Sequence, residues 1–259
     1  MDISVAIVNY NTDDLVERCV ESIVDRCGEV REIIIVDNSP RQTHLEALAD
    51  RHKVVRLIDN RFNRFFSGGF NQALAEAQGK YTLILNSDTW FEEDGISPLW
   101  EFMEANDDYG AVEGTIIAEP SGEVTRTGSR ELTLIREIVR AKLWLQRIFT
   151  GIWREYSYAD WDRQSDREVE VICDAYVLVR TGLVLSLGGY NEALKLYYTE
   201  EYLSDRIRQA GKKLYHKADA RIHHEWSSST NKAGKGWIEA IYKTDRRLYF
   251  AQKSKPPGS

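Results

Sequence analysis

The sequence predicts an α/β protein with a doubly wound, mostly parallel sheet and helices on both faces. Three observations predict it. Short apolar runs rich in branched residues alternate with stretches of helical spacing. Each run ends abruptly in Asn or Asp. Those polar ends would all fall on one edge of one sheet, where open α/β folds bind ligands.

The elements follow in order. Ile3 to Val8 is apolar nearly throughout, as a central strand covered on both faces should be. Asn9-Tyr10-Asn11-Thr12 is the turn after it, and Thr12 or Asp13 caps a helix carrying Leu15, Val16, Cys19, Val20 and Ile23. Glu32 to Val36 is a second strand ending in Asp37-Asn38, a helix covers Leu45 to Arg51, and Val54 to Ile58 is a third strand ending near Asn60. Ser67-Gly68-Gly69 reads as a glycine turn before a helix from Asn71 to Gln78, a place suited to an anionic group. Tyr81 to Leu85 is a buried strand that stops at Asn86-Ser87-Asp88. Asp88 has two readings: a cap for the helix beyond Glu92-Glu93-Asp94, or a cation ligand. No G-x-G-x-x-G and no Walker loop follows the first strand.

The later half is less regular. A helix covers Leu99 to Ala105 and a strand covers Val112 to Ile117. From Leu132 to Trp153, apolar residues at helical spacing mix with Trp144, Phe149, Arg136, Arg140, Lys142, Arg147 and Arg154. That segment has two readings: a helix packed on the body with a solvated face, or an amphipathic surface for anionic lipid. Glu168 to Val179 is interrupted at Cys173-Asp174-Ala175, a strand covers Lys213 to His216, and Trp237 to Phe250 is a closing amphipathic helix.

The chain of 259 residues carries a formal charge of −7, so nothing global favours nucleic acid. Three cysteines without a CxxC pair give no disulfide framework and point to a reducing compartment. Met1 to Val8 lacks the basic start and cleavage site of a secretory signal, and no apolar run reaches the length of a membrane span. The expected location is therefore cytoplasmic, with peripheral contact at the inner face of the cell membrane if residues 132–154 bind lipid.

Val8-Asn9-Tyr10-Asn11, Ile35-Val36-Asp37-Asn38, Asn63 to Asn71 and Leu85-Asn86-Ser87-Asp88, in this order and spacing, resemble the family 2 glycosyltransferases of the GT-A fold, in their rhamnosyltransferase-like branch. The resemblance spans roughly Ile3 to Thr230. It implies one domain in two halves, with residues 1–118 binding a nucleotide sugar and residues 119–259 binding the acceptor and supplying the base. The smaller acceptor-side extension belongs to the second half. The implied reaction is metal-dependent, inverting transfer of a sugar from a nucleotide-diphosphate donor to a hydroxyl on a glycan or lipid-linked glycan.

The implied roles fall on particular residues. Val8, Asn9, Asn11, Asp37, Asn63, Gly69, Asn71 and Asn86 would bind the nucleotide sugar, with Asp37 reading the base. Asp88 and His224 would hold Mg2+ or Mn2+, with His223 the spare beside the Ser-rich stretch Ser227 to Thr230. Asp174 would touch the acceptor. Anchoring the helix on Leu203, Arg206 and Gly211 makes Glu200 the catalytic base, and a shift of one residue makes it Glu201. The chain departs from the family pattern at Phe65, where a glycine belongs, and at Asn86 and Asn191, where carboxylates belong. These departures motivate a rival reading, a nucleotide-sugar or glycan-binding module without catalysis. A nucleotidyltransferase on a similar sheet would need a phosphate loop that Asn9 to Thr12 does not supply.

Overall fold

The computed structural model describes residues 1–41, 43–225 and 235–253. Among them, one mixed sheet carries the strands β1 (Ile3–Asn9), β2 (Glu32–Asp37), β3 (Val55–Asp59), β4 (Tyr81–Asn86), β5 (Thr89–Trp90), β6 (Tyr109–Ala118), β7 (Glu123–Val124), β8 (Arg167–Val169), β9 (Tyr176–Arg180) and β10 (Lys213–His224). The main path runs β3-β2-β1-β4-β9-β6-β10-β5, with β7 paired to β6 and β8 to β10. The first four strands on the path are parallel. β9 then enters antiparallel between β4 and β6. A strand from the second half of the chain thus sits between two from the first, so both halves share one sheet.

Alternation along the strands fills two cores. Val5, Ile7, Ile33, Ile35, Leu83 and Leu85 point to the face covered by α1 (Asp13–Arg26), α2 (Leu45–Arg51) and α4 (Ile96–Ala105). Ala6, Ile34, Val36 and Ile84 point to the face covered by α3 (Phe65–Glu76), α8 (Thr181–Ser186) and α9 (Thr199–Gln209). A third, aromatic cluster joins Leu132, Tyr156, Leu194, Tyr198 and Tyr249. It packs α7 (Thr150–Tyr156) near α9 and α10 (Lys235–Lys253); α5 (Leu134–Arg140) and α6 (Leu143–Ile148) precede α7 and contribute no residue to the cluster.

Three elements differ from the sequence expectation. Helix α3 begins at Phe65, not Asn71, so Gly68 and Gly69 lie inside it. A Cβ on Gly69 would stand 2.8 Å from both Val8 methyl carbons, so the glycine serves the close approach of α3 to β1. The segment from Leu132 to Trp153 is not one helix but three short ones. Strand β10 continues past His216 to His224 through an irregularity between Lys217 and Arg221, which puts both histidines on the sheet rather than in a loop.

A buried polar cluster fixes the second half. Arg163, only 1% exposed, donates to the carbonyls of Thr127, Gly128, Ser157, Tyr158 and Trp161. Burial pulls its pKa down to about 10. Beside it, Glu113 on β6 accepts from Cys173 N at 2.6 Å and pairs with His216 at 2.9 Å. Replacing Arg163 with Ala leaves those five carbonyls without their donor and is expected to lower stability by about 3–5 kcal/mol. Urea unfolding checks this; a loss below about 1 kcal/mol would mean that other groups satisfy the carbonyls.

Candidate active site

The site forms where β1, β2 and β4 end. Asn9 is the hub of the first corner. Its amide nitrogen donates to Asp13 Oδ1 at 2.9 Å and Asp37 Oδ1 at 3.0 Å, and its oxygen accepts from Thr12 N and Oγ1. Asp37, 1% exposed, also accepts from Ser39 N and from Thr43 Oγ1 at 2.7 Å. Both carboxylate oxygens are thus engaged, and a base reaching Asp37 would have to displace Thr43. Asn11 sits at φ 58°, its backbone N–H donating to Ser39 Oγ and its side-chain Oδ1 accepting from Arg41 Nε.

The second corner is the start of α3. Asn63 Oδ1 accepts from Phe65 N at 2.7 Å, which closes an Asx turn. Phe65 follows at φ 59°, a left-handed conformation that glycine adopts at no cost. The position where the family pattern has glycine therefore needs positive φ here too. Phe65 stacks on Trp237 at 6.0 Å, and Asn38 Nδ2 donates to its carbonyl. Asn71 does not face the corner. Its amide is used in both directions on the Tyr190 backbone, at 2.8 and 2.7 Å, so it holds the Gly188-Gly189 turn rather than a ligand. Gly69 and Val8 likewise act by packing on each other.

The third corner is the end of β4. Asn86 makes no side-chain hydrogen bond among the described residues. Asp88, 7% exposed, meets His224 Nε2 through Oδ1 at 2.8 Å. Asp88 is not the cap of α4; Asp94 is, accepting from the N–H groups of Ile96 and Ser97. Strand alternation sends His223 the other way, to Glu119 at 2.8 Å and onto the Trp90 ring. Ser227 to Thr230 lie outside the described residues. A carboxylate oxygen and an imidazole nitrogen are donor types that a divalent cation takes, and at 2.8 Å Asp88 Oδ1 and His224 Nε2 share a hydrogen bond that a bound cation would replace. No cluster of three or more His, Cys, Asp or Glu side chains suited to a metal occurs among the described residues.

The fourth corner is a cavity of about 170 Å³ lined by Arg140, Asp174, Tyr197, Thr199, Glu200, Glu201 and Tyr242, among others. Tyr198, at φ 62°, turns the chain into α9. Its hydroxyl donates to the fully buried Glu137 at 2.7 Å. Asp245 Oδ2 accepts from three successive N–H groups, those of Lys195, Leu196 and Tyr197. The start of α9 is therefore clamped from both α5 and α10. Thr199 Oγ1 donates to Asp174 at 2.8 Å. Glu201, 3% exposed, is paired with Arg140 at 3.0 Å. Glu200 is half-buried and makes no hydrogen bond or ion pair among the described residues.

Burial pushes the Glu200 carboxyl well above the ordinary range, and the neighbouring Glu201 and Asp174 push the same way against Arg140. Burial pushes Asp174 up to about 7 against its Thr199 hydrogen bond, with Glu201 adding to the rise. Burial also raises Glu201, with Arg140 opposing.

The corners are joined. Thr12 Oγ1 meets Ser87 Oγ at 3.0 Å, Asn86 N donates to Ala175 O at 3.1 Å, and Phe66 N donates to Lys195 O at 3.1 Å. The β4 tip and the cavity are thus one residue apart at the Ala175 link, since Asp174 precedes it. Sequence reasoning missed Glu137, and it set Arg136 and Arg140 on a solvated or lipid-facing surface. Arg140 and Arg246 instead converge on Glu137, and Arg136 donates to Glu131 O. A lone acid at Glu137 amid four basic residues was the available signal.

The sequence and the fold match known proteins. Residues 4–167 match the model of Glycosyl transferase family 2, and the chain belongs to that family. It is 23% identical, over 93% of its length and 81% of the relative's, to the N-acetylglucosaminyl-diphospho-decaprenol L-rhamnosyltransferase of Mycobacterium tuberculosis strain H37Rv. It is 26% identical over 108 residues to an uncharacterized glycosyltransferase of Haemophilus influenzae, covering 40% of this chain and 33% of that one. Among solved structures, GalNAc-T7 with UDP, GalNAc and Mn2+ superposes at a TM-score of 0.64 with 16% identity, over 86% of this chain and 44% of that one. The mannosyltransferase PcManGT of Pyrobaculum calidifontis with GDP-Man and Mn2+ gives 0.64 and 16%, over 99% of this chain and 66% of that one. The fold is the GT-A type, α/β with a central mixed sheet. Apart from the mycobacterial protein, the chain spans less than two thirds of these relatives.

Proposed function

We propose that the protein transfers a sugar from a nucleotide-diphosphate donor to a hydroxyl of a glycan or lipid-linked glycan by a single inverting displacement. The observation that carries this reading is Glu200: a carboxylate of raised proton affinity without a hydrogen bond or ion pair among the described residues, at the start of α9 beside Thr199, which bonds Asp174 next to the Ala175 link to β4. The family and its metal- and nucleotide-containing structural neighbours support the donor class.

Residues 1–118 form the donor half. Asn9 fixes the turn against which the nucleotide lies, Asn11 and Asp37 border it, Asn63 sets the turn at Phe65, and Asn86 offers a neutral amide to ribose or phosphate. Asp88 and His224 would hold Mg2+ or Mn2+, which supplies charge neutralisation for the leaving diphosphate. Residues 119–259 form the acceptor half. Glu200 takes the proton of the acceptor hydroxyl as its oxygen bonds to the anomeric carbon and the bond to the diphosphate breaks. Asp174 and Arg140 hold the acceptor pocket open beside it. Glu201 is the neutralised partner of Arg140 rather than a second base.

A thermal-shift screen of nucleotide sugars with Mn2+, followed by donor turnover, tests the reading. The expected result is a rise in melting temperature with one nucleotide-sugar class and turnover of that donor. Binding without any hydrolysis or transfer, across glycan and lipid-linked acceptors, would instead support the binding module. The Phe65 and Asn86 departures favour that alternative.

A further inference from the structure

Of the eleven large apolar side chains exposed in the described chain, seven fall between residues 134 and 149: Leu134, Ile135, Ile138, Leu143, Trp144, Ile148 and Phe149. Leu143 is 74% exposed, Trp144 60% and Ile148 63%, and helix α6 buries no residue at all. Scattered exposed apolar residues need no explanation, but a contiguous group marks an interaction surface.

Charge separates the possible occupants. From 134 to 150 the only acid is Glu137, and it is fully buried. Arg136 and Arg140 turn inward. Lys142 and Arg147 stand exposed and make no ion pair among the described residues. A protein of net charge −7 thus carries one apolar surface whose outward charge is wholly positive. Short helices with Trp, Phe and Leu beside Lys and Arg suit the headgroup boundary of an anionic bilayer.

We propose that α5 and α6 form a docking surface for an anionic lipid bilayer. Helix α5 ties that surface to the cavity. It exposes Leu134, Ile135 and Ile138 while its Arg140 bonds Glu201 in the cavity wall. Docking through α5 and α6 holds the cavity beside the membrane, where an acceptor anchored in lipid would present its headgroup. That last step rests on the transferase reading; the docking itself does not.

Vesicle co-sedimentation of the full chain tests the docking without turnover. Vesicles of phosphatidylcholine with phosphatidylglycerol are compared with pure phosphatidylcholine. Binding is expected to the anionic vesicles and to weaken with salt. The Lys142→Gln/Arg147→Gln variant should lose roughly thirtyfold in partitioning. Leu143→Asp/Trp144→Asp should lose roughly tenfold or more. Both pairs are exposed, so unchanged thermal unfolding is expected and serves as the folding control. Equal binding to neutral vesicles, or variants that bind as well as the parent, overturns the proposal. Concentration-dependent dimerisation abolished by Leu143→Asp, without vesicle binding, overturns it in favour of a second copy on this surface. Failure of docking with sugar transfer intact, or the reverse, shows which of the two readings has failed.

Discussion

Glu200→Gln is expected to reduce sugar transfer by about 10²–10⁴-fold, the usual contribution of a positioned general base. Donor binding should persist, because the side chain lies in the cavity and not at the β1 and β2 ends. The neighbouring charges make the assignment testable by pH. A base works only when deprotonated, so activity falls as pH drops through the folded pKa. Burial, Glu201 and Asp174 raise that pKa, which moves the acid limb of the profile above the usual carboxylate range. Asp174→Asn removes one of the charges that raise it and should move the limb to lower pH. Arg140→Met removes the opposing cation and should move it higher. Glu201→Gln leaves Arg140 with Glu137 and should disturb the limb without abolishing transfer.

Stability gives a second readout with a defined sign. A carboxyl whose folded pKa is raised contributes stability fully below its unfolded pKa and loses it as pH rises through the folded value. At neutral pH and above, Glu200→Gln should therefore melt higher than the parent while being far less active. An inactive variant that melts lower would point to a structural role. Full activity in Glu200→Gln would overturn the base assignment.

Much of the fold could be read because burial leaves a direct trace in apolar spacing. Ile33 to Val36 and Leu83 to Leu85 are buried on both faces, and both runs were legible. Helix α2 falls where its spacing predicted. The start of α3 was not legible because Ser67-Gly68-Gly69 has low helix propensity, and the close approach of Gly69 to Val8 is a tertiary contact that local spacing does not show. The run 132–153 has helical spacing throughout, yet it breaks at Lys142 and Phe149, whose backbones leave the helical conformation.

The site was legible where chemistry sits at a strand end, and illegible where it depends on partners. Asp88 with His224, and Glu200 with Asp174, come together across long sequence separations, but each residue type already suggested its chemistry. Asn71 looked like a nucleotide-sugar contact because it matches the family pattern from Asn63 to Asn71. Its engagement with Tyr190 depends on a turn more than a hundred residues later. A buried Glu113 or Arg163 looks in sequence like any surface charge. Their five carbonyls, histidine and backbone N–H appear only once the strands are paired.

Asp88→Asn is expected to reduce transfer by about 10²–10³-fold, in keeping with the loss of one electrostatic stabiliser of a leaving anion. The substitution is chosen for what it keeps. Asparagine preserves the size of the side chain and a hydrogen bond to His224, so β4 and β10 stay joined, helped by Glu225 N on the Asp88 carbonyl. It removes only the charge. A cap would lose stability through α4, but Asp94 already caps that helix, so the melting temperature should stay near that of the parent. The donor's affinity should fall in Mn2+ and match the parent's in chelator, because the nucleoside contacts at Asn9, Asn11 and Asp37 are untouched. His224→Ala should show the same metal-linked pattern at smaller amplitude, since an uncharged ligand contributes less to neutralising a diphosphate. Equal donor affinity for parent and Asp88→Asn in Mn2+, with full transfer, would mean that this pair only fastens two strands. The leaving group would then have to be neutralised by cationic side chains instead. Isothermal titration with the donor, with and without Mn2+, separates the two outcomes on one protein preparation.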